Sequence, residues 1–174
     1  MDTSNEKINL GFIGTSFGKL SFSLIINQSK NAYLFVYANT PNDLRKAGVG
    51  TSFSYRNFLQ FSQIINQAEE KVNILINSQE IVRLRWPYDN YREEKQQFEI
   101  GRIRSNLGEF IISVSINLDN YGHIMIFAID PSDRRKSGVL IRLDDNSLLS
   151  LKELLKKVSD EISQYKNSGR ILDI

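Results

Sequence analysis

Residues 41–49 read Pro-Asn-Asp-Leu-Arg-Lys-Ala-Gly-Val, and residues 131–139 read Pro-Ser-Asp-Arg-Arg-Lys-Ser-Gly-Val, so one turn occurs twice, 90 positions apart. The same spacing aligns further residues without a gap: Gly11 with Gly101, Gly18 with Gly108, and Asn27 with Asn117. Turn residues shared at one fixed spacing indicate an internal duplication. We therefore predict two copies of one unit, residues 8–71 and 98–161, with a connector at 72–97 and a C-terminal tail at 162–174.

Each copy contains alternating and continuous apolar runs. Residues 19–27 and 109–118 alternate between apolar and polar, which is typical of a strand with one buried face. Residues 32–39 and 122–130 are apolar on both faces and predict a central strand covered on both sides, with Phe35 and Phe127 in the core. Shorter extended runs precede and follow these strands, so each copy has four. The glycines of Gly11-Phe12-Ile13-Gly14 predict relief of crowding or a bulge.

A helix closes each copy. Its apolar stripe has helical spacing in both copies, as Phe58, Phe61, Ile64, Ile65 and Ala68, then Leu148, Leu151, Leu154, Leu155 and Val158. Asp144, Asp145 and Asn146 predict a cap for the second helix, and Asn167-Ser168-Gly169 predicts its end. The predicted fold class is α+β: two internally repeated four-strand-plus-helix units form one pseudo-symmetric domain over residues 1–174, each copy covering the other's apolar face.

The amino-acid composition excludes several classes of site. A chain of 174 residues with 41% hydrophobic residues has enough apolar side chains for a core. The absence of cysteine excludes disulfides and thiolate metal sites, and we predict no cofactor and no metal. Neither a signal peptide nor a membrane span is recognisable, which predicts a protein that is not secreted, has no membrane partner and is cytoplasmic or nucleoid-associated. The net charge of +2 is only mildly basic.

Catalytic motifs are missing from the sequence. The one histidine, His123, aligns with Tyr33 of the first copy, and no serine, carboxylate or second histidine has triad or metal spacing to it. We interpret it as a half-buried or surface-edge imidazole, and the matching tyrosine favours stacking or packing at this position. No phosphate-binding loop or dinucleotide fingerprint occurs. The sequence therefore predicts a protein that is not an enzyme.

The duplicated turn carries adjacent cations, Arg45 and Lys46 in the first copy and Arg134, Arg135 and Lys136 in the second. Proline, aspartate and glycine account for the turn itself. They do not account for the neighbouring like charges. An anionic partner would reduce the repulsion between these charges. Phosphate binding and plain solvation are both open interpretations of these residues.

Aromatic residues accompany the basic ones in and beside the predicted strands. The rings are Phe12, Phe17, Tyr33, Tyr37, Tyr121 and Trp86, and the nearby cations are Arg102, Arg104 and Arg142. Cations for phosphates and rings for bases are typical of sequence-tolerant binders of single strands. The alternative for each ring taken alone is a place in the core.

The second copy resembles a known family through Phe98-Glu99-Ile100-Gly101-Arg102-Ile103-Arg104, the later Arg135-Lys136-Ser137-Gly138-Val139-Leu140-Ile141 and the leucine-rich helix. These residues resemble the single-stranded-DNA-binding domain of the transcriptional positive-cofactor family, and the tandem unit is similar to Whirly and Pur proteins. The resemblance implies binding of single-stranded DNA or RNA across a sheet, with Arg102, Arg104, Arg135 and Lys136 as the basic residues. The first copy departs from it, because Phe12 and Gly14 stand where the second has arginines.

The leading hypothesis is non-enzymatic, largely sequence-tolerant binding of single-stranded DNA, or RNA, in replication, repair or transcription, as in a coactivator-like protein, with homo-oligomers allowed. Its site residues are Arg45, Lys46, Arg102, Arg104, Arg134, Arg135, Lys136, Arg142, Tyr33, Tyr37, Tyr121 and Trp86. The alternative is a protein-interaction or structural module that retains the fold without nucleic-acid binding, and the near-neutral charge favours it. A duplex-binding architectural protein is a third hypothesis.

Overall fold

A computed structural model describes residues 4–15, 18–40, 48–85, 94–105, 108–130 and 138–174. These residues form two four-stranded antiparallel sheets, each followed by a helix, which confirms the α+β class and the two four-strand-plus-helix units. The first unit comprises β1 (Glu6–Thr15), β2 (Gly18–Ile26), β3 (Ala32–Asn39), β4 (Gly48–Phe53) and α1 (Tyr55–Asn77). The second comprises β5 (Glu94–Arg104), β6 (Glu109–Asn117), β7 (Gly122–Ile129), β8 (Gly138–Leu143) and α2 (Asp145–Asn167). Strand order in each sheet follows chain order.

Irregular features repeat at the same spacing as the sequence. A β-bulge interrupts the β1–β2 register between Asn9 and Gly11, and another interrupts β5–β6 between Glu99 and Gly101. The second turn of each unit places a non-glycine residue at positive φ, Lys30 in the first and Asn120 in the second, both at 62°. The duplication therefore extends from turn residues to backbone geometry, and the predicted bulge at Gly11 is confirmed.

The helices run further than the predicted copy boundaries. Because the apolar stripe of α1 continues through the buried Val72 and Leu75, the first residues of the predicted connector belong to that helix. Its last residues belong to β5, which starts at Glu94. The predicted end of α2 is confirmed, since the helix stops at Asn167 and Ser168 caps it.

Both helices start with a capping box. The Ser54 hydroxyl accepts a hydrogen bond from the Asn57 amide at 3.1 Å, and the Asp144 carboxylate accepts one from the Ser147 amide at 2.9 Å. These bonds satisfy amides that have no partner within the helix. Of the three residues predicted to cap α2, Asp144 is the N-cap, and Asp145 and Asn146 are exposed residues of its first turn.

Each helix packs on the sheet of the other unit. Helix α1 contacts β5 and β6, and α2 contacts β1. A methyl group added at Gly101 would lie 2.8 Å from the side chain of Ile64 in α1, and one added at Gly11 would lie 2.7 Å from that of Leu154 in α2. The bulge glycines thus allow each helix to pack closely on the sheet of the other unit. Gly11 also has a φ of 143°, which favours glycine.

The segments that follow the helices are exchanged in the same way. After α1, the amide of Val82 donates to the carbonyl of Asn120 at 2.8 Å, and that of Gly122 donates to Arg83 at 3.0 Å. After α2, the amide of Leu172 donates to the carbonyl of Lys30 at 2.8 Å. Each tail therefore extends onto the third strand of the other unit.

The result is one shared core rather than two. Phe110 of β6 lies against Phe53 and Phe61 of the first unit, with ring centroids 5.6 and 6.3 Å apart, and all three are buried.

Within the described residues, neither helix contains an apolar window that could span a membrane.

Candidate functional site

One face of the first sheet, the face opposite the core, combines rings and cations. Since strand side chains alternate, the register assigns to this first outer face Lys7, Asn9, Phe12, Gly14, Lys19, Ser21, Ser23, Ile25, Tyr33, Phe35, Tyr37, Asn39, Gly48, Gly50 and Ser52. None of these fifteen residues is acidic. The first outer face is therefore positive wherever it is charged.

Its rings lie flat because two glycines of β4 make room for them. Phe35 and Tyr37 are stacked, with centroids 6.2 Å apart and planes 15° from parallel. A methyl group added at Gly50 would lie 2.5 Å from the Phe35 ring, and one at Gly48 would collide with Tyr37. A larger residue at either glycine would lift a ring off the sheet.

Both lysines of this face lie over aromatic rings. The ammonium of Lys19 is 4.1 Å from the Phe12 ring centroid, and that of Lys7 is 5.9 Å from the Phe35 centroid. Phe12 is 62% exposed and Tyr33 is 38% exposed. Exposed rings beside cations supply flat surfaces and positive charge at the same place.

The prediction that the third strand of each copy is covered on both sides is wrong for β3. It holds over most of β7, where His123 and Met125 are buried on the outer side and Ile124 and Ile126 on the core side. Leu34 and Val36 are buried, but Phe35 is only half-buried on the first outer face, and Phe127 is half-buried on the corresponding face of the second sheet. An apolar side chain such as Phe35 can lie on a solvent-accessible face of the sheet. Its apolar character alone therefore does not show that this face is covered.

The second outer face, opposite the core in the second sheet, has different chemistry at the same positions. Gln97 replaces Lys7, Glu99 replaces Asn9, and Glu109 replaces Lys19, each 90 positions later. Arg102 stands in place of Phe12, and Leu140 in place of Gly50. The duplicated backbone therefore carries two unlike faces.

Arg102 and Arg104 lie on this second outer face, as part of a ladder of ion pairs. The Arg102 guanidinium contacts a Glu99 oxygen at 2.6 Å and a Glu109 oxygen at 3.3 Å, while Arg104 contacts Glu109 at 3.2 Å. The side chain of Arg104 remains 75% exposed. The two arginines that the family resemblance implies as phosphate contacts thus have carboxylate partners within the sheet.

Two other predicted site residues are placed apart from the first outer face. Arg142 is half-buried on β8, on the second outer face. Tyr121 lies in the turn before β7, where the Arg85 guanidinium is 5.4 Å from its ring centroid. Of the predicted site residues that the structure describes, only Tyr33 and Tyr37 lie on the first outer face. Arg45, Lys46, Trp86, Arg134, Arg135 and Lys136 lie outside the described residues.

His123 is fully buried, so its interpretation as a half-buried or edge imidazole is wrong. It lies on the second outer face, with its Nε2 3.8 Å from a Glu94 oxygen. Burial, together with the positive charge of Arg142, lowers the pKa of His123 to about 4. Glu94 favours the charged form, but the 3.8 Å separation is too long for a hydrogen bond, and desolvation outweighs it.

The low pKa of His123 predicts acid sensitivity. The unfolded chain takes up a proton near the ordinary pKa of 6.5, and the folded chain only near 4. Stability is therefore complete above about pH 6.5 and falls as the pH drops towards 4, by about 3 kcal/mol for this group. Urea unfolding of wild type and His123→Gln at pH 7 and pH 4.5 measures it. The variant should lose less stability than wild type over this range, and an equal loss in both would contradict the assignment.

Sequence reasoning missed Lys7 and Lys19, and assigned Phe35 to the core. The sequence does contain a pattern that indicates this face, because Tyr33, Phe35 and Tyr37 share one side of a strand and Gly48 and Gly50 share one side of the next.

In the described part of the chain, no three potential metal-ligating side chains cluster. Comparisons with protein-family models, curated proteins and solved structures find no match.

Proposed function

We propose that this protein binds single-stranded nucleic acid, DNA or RNA, on its first outer face, without catalysing a reaction. The observation that carries the proposal is the combination of flat, accessible rings with lysines, and with no carboxylate among the fifteen described residues of that face. Bases stack on exposed rings regardless of sequence, and lysines contact phosphates. A role in replication, repair or transcription fits binding that tolerates any sequence.

The charge difference between the two faces supports this choice of sheet. Among the described residues, the second outer face sets Arg102, Arg104 and Arg142 against Glu94, Glu99 and Glu109, so its charges cancel. Among the same described residues, the first outer face has Lys7 and Lys19 and no carboxylate. A polyanion approaching the molecule gains more from the first face.

The predicted basic turns add to the same proposal. Arg45 and Lys46 follow β3, whose rings lie on the first outer face, so the turn and the rings are adjacent in the chain. Arg134, Arg135 and Lys136 follow the equivalent strand β7. We propose that these turns contact phosphates beyond the stacked bases.

The finer architecture is also part of the proposal. We propose that the two units form one pseudo-symmetric domain, which the exchanged helices and exchanged tails support. Because the two units share one core, each sheet is held in a fixed conformation. A nucleic-acid strand that binds to an outer face therefore meets a preformed surface. Preformed surfaces lose little entropy on binding.

Fluorescence-anisotropy titration of a labelled oligodeoxythymidine tests the proposal at two salt concentrations. Wild type should bind, and its affinity should fall as salt rises. Lys19→Glu introduces the charge found at the equivalent Glu109 and should weaken binding and lower the salt slope by about 0.7–1. Lys156→Glu, on the exposed side of α2, makes the same charge change and is the matched control. Absence of binding at low salt would reject the proposal in favour of a protein-interaction or structural module.

A further inference from the structure

The rings of the first outer face form two groups that β2 separates. Phe12 lies on β1, whereas Phe35 and Tyr37 lie on β3. The register places Ser21 of β2 directly between Phe12 and Tyr37. Because neighbouring strands are about 4.8 Å apart, the backbones that carry the two ring groups are about 10 Å apart. A single strand that stacks bases on both groups must therefore carry its sugar–phosphate backbone across β2, over Ser21.

The outer side of β2 is polar where the nucleic-acid backbone would cross it. The Ser23 hydroxyl is buried and donates to Oδ1 of Asn9 at 3.2 Å, which leaves the Nδ2 group of the exposed Asn9 as a donor. Ser21 is half-buried, and its hydroxyl has no hydrogen-bond partner within the described part of the chain. A sugar above β2 thus meets an unpartnered hydroxyl and, one row away, an oriented amide.

Packing of the fold does not account for a serine at position 21. The equivalent residue of the second sheet, 90 positions later, is Ile111 on β6. Glu99 likewise stands in place of Asn9. Since the duplicated backbone accepts an apolar side chain at this place, the fold does not require the Ser21 hydroxyl. The hydroxyl is therefore available to a ligand.

We infer that the first outer face binds RNA in preference to DNA, with the Ser21 hydroxyl hydrogen-bonded to a ribose 2′-hydroxyl. The inference rests on the proposed function and names the sugar of its ligand. A 2′-hydroxyl and a serine hydroxyl can each donate and accept, so the pair is satisfied whichever group donates. Deoxyribose places a C–H group there, so the Ser21 hydroxyl loses contact with water and gains no hydrogen bond when DNA binds. Contact with a sugar requires no particular base.

Anisotropy titration with three labelled strands of equal length and identical base tests the inference. They are oligouridine, oligodeoxyuridine and 2′-fluoro oligodeoxyuridine, which differ only at the 2′ position. Wild type should bind oligouridine about three- to tenfold more tightly than oligodeoxyuridine, as expected for one net hydrogen bond. The 2′-fluoro strand has an RNA-like sugar conformation but no 2′-hydroxyl, so it should bind like oligodeoxyuridine.

Ser21→Ala should bring the ratio of the oligouridine and oligodeoxyuridine affinities to about one. This ratio does not depend on the folded fraction of the variant, because both strands are titrated into the same preparation. Ser62→Ala, at a half-buried serine of α1, is the matched control and should keep the wild-type ratio.

Three outcomes overturn the inference and leave the proposed function intact. The first is a wild type that binds oligodeoxyuridine as tightly as oligouridine or more tightly. The second is a preference for oligouridine that persists in Ser21→Ala. The third is a 2′-fluoro strand that binds as tightly as oligouridine, which would assign the preference to sugar conformation. Failure of wild type to bind any of the three strands rejects the proposed function itself.

Discussion

Phe110→Ala should lower the free energy of unfolding by about 3–5 kcal/mol. Phe110 is fully buried and lies edge-on to Phe53 and near Phe61, both from the other unit. Removing its ring leaves a cavity between the units, which neighbouring rings cannot fill without leaving their own contacts. Urea denaturation followed by far-UV circular dichroism gives the change.

The same experiment reports whether the two units depend on each other. Because helices and tails are exchanged, both units should unfold in one transition, in wild type and in Phe110→Ala. Leu118→Ala is the control, since that leucine is 57% exposed and its loss should change stability by less than about 0.5 kcal/mol. A loss below about 1 kcal/mol for Phe110→Ala would contradict the shared core.

Removing two accessible rings should nearly abolish binding of single strands. Phe12 and Tyr33 are exposed on the first outer face, and each base stacked on a ring contributes about 1–3 kcal/mol. The variant Phe12→Ala with Tyr33→Ala should therefore bind oligodeoxythymidine at least about thirtyfold more weakly. Anisotropy titration at low salt measures the dissociation constant.

A control with a similar loss of exposed apolar surface accompanies this variant. Leu59→Ala with Leu149→Ala removes two exposed leucines at equivalent positions of α1 and α2 and should bind like wild type. Thermal unfolding of both variants checks that the fold is retained. Wild-type affinity in the ring variant would move the binding surface away from the first sheet.

The candidate site was predictable only in part. Tyr33 and Tyr37 were identified as site residues because aromatic residues accompany arginines in the predicted strands, and the structure places both on the first outer face. Arg102 and Arg104 were identified as cations beside aromatic residues in the predicted strands and again from the resemblance, and the structure pairs both with carboxylates. Their partner Glu109 lies on the neighbouring strand, so only strand register brings it to them.

The alternating and continuous apolar runs and the helical stripes determined, from sequence alone, the number and order of strands and helices in each unit. These features act over a few residues, and local backbone preferences and side-chain periodicity are sufficient to produce them. They also assign each strand residue to one of two faces. They do not determine which face another part of the chain covers.

Only the tertiary structure decided that coverage. Helix α1 packs on the second sheet and α2 on the first, and these contacts join residues that are distant in sequence. The exchange buries one face of each sheet and leaves Phe35 on the other face, although its strand is apolar on both sides. Burial depends on which surfaces pack together. The alternation of apolar residues within one strand does not indicate which other part of the chain packs on it.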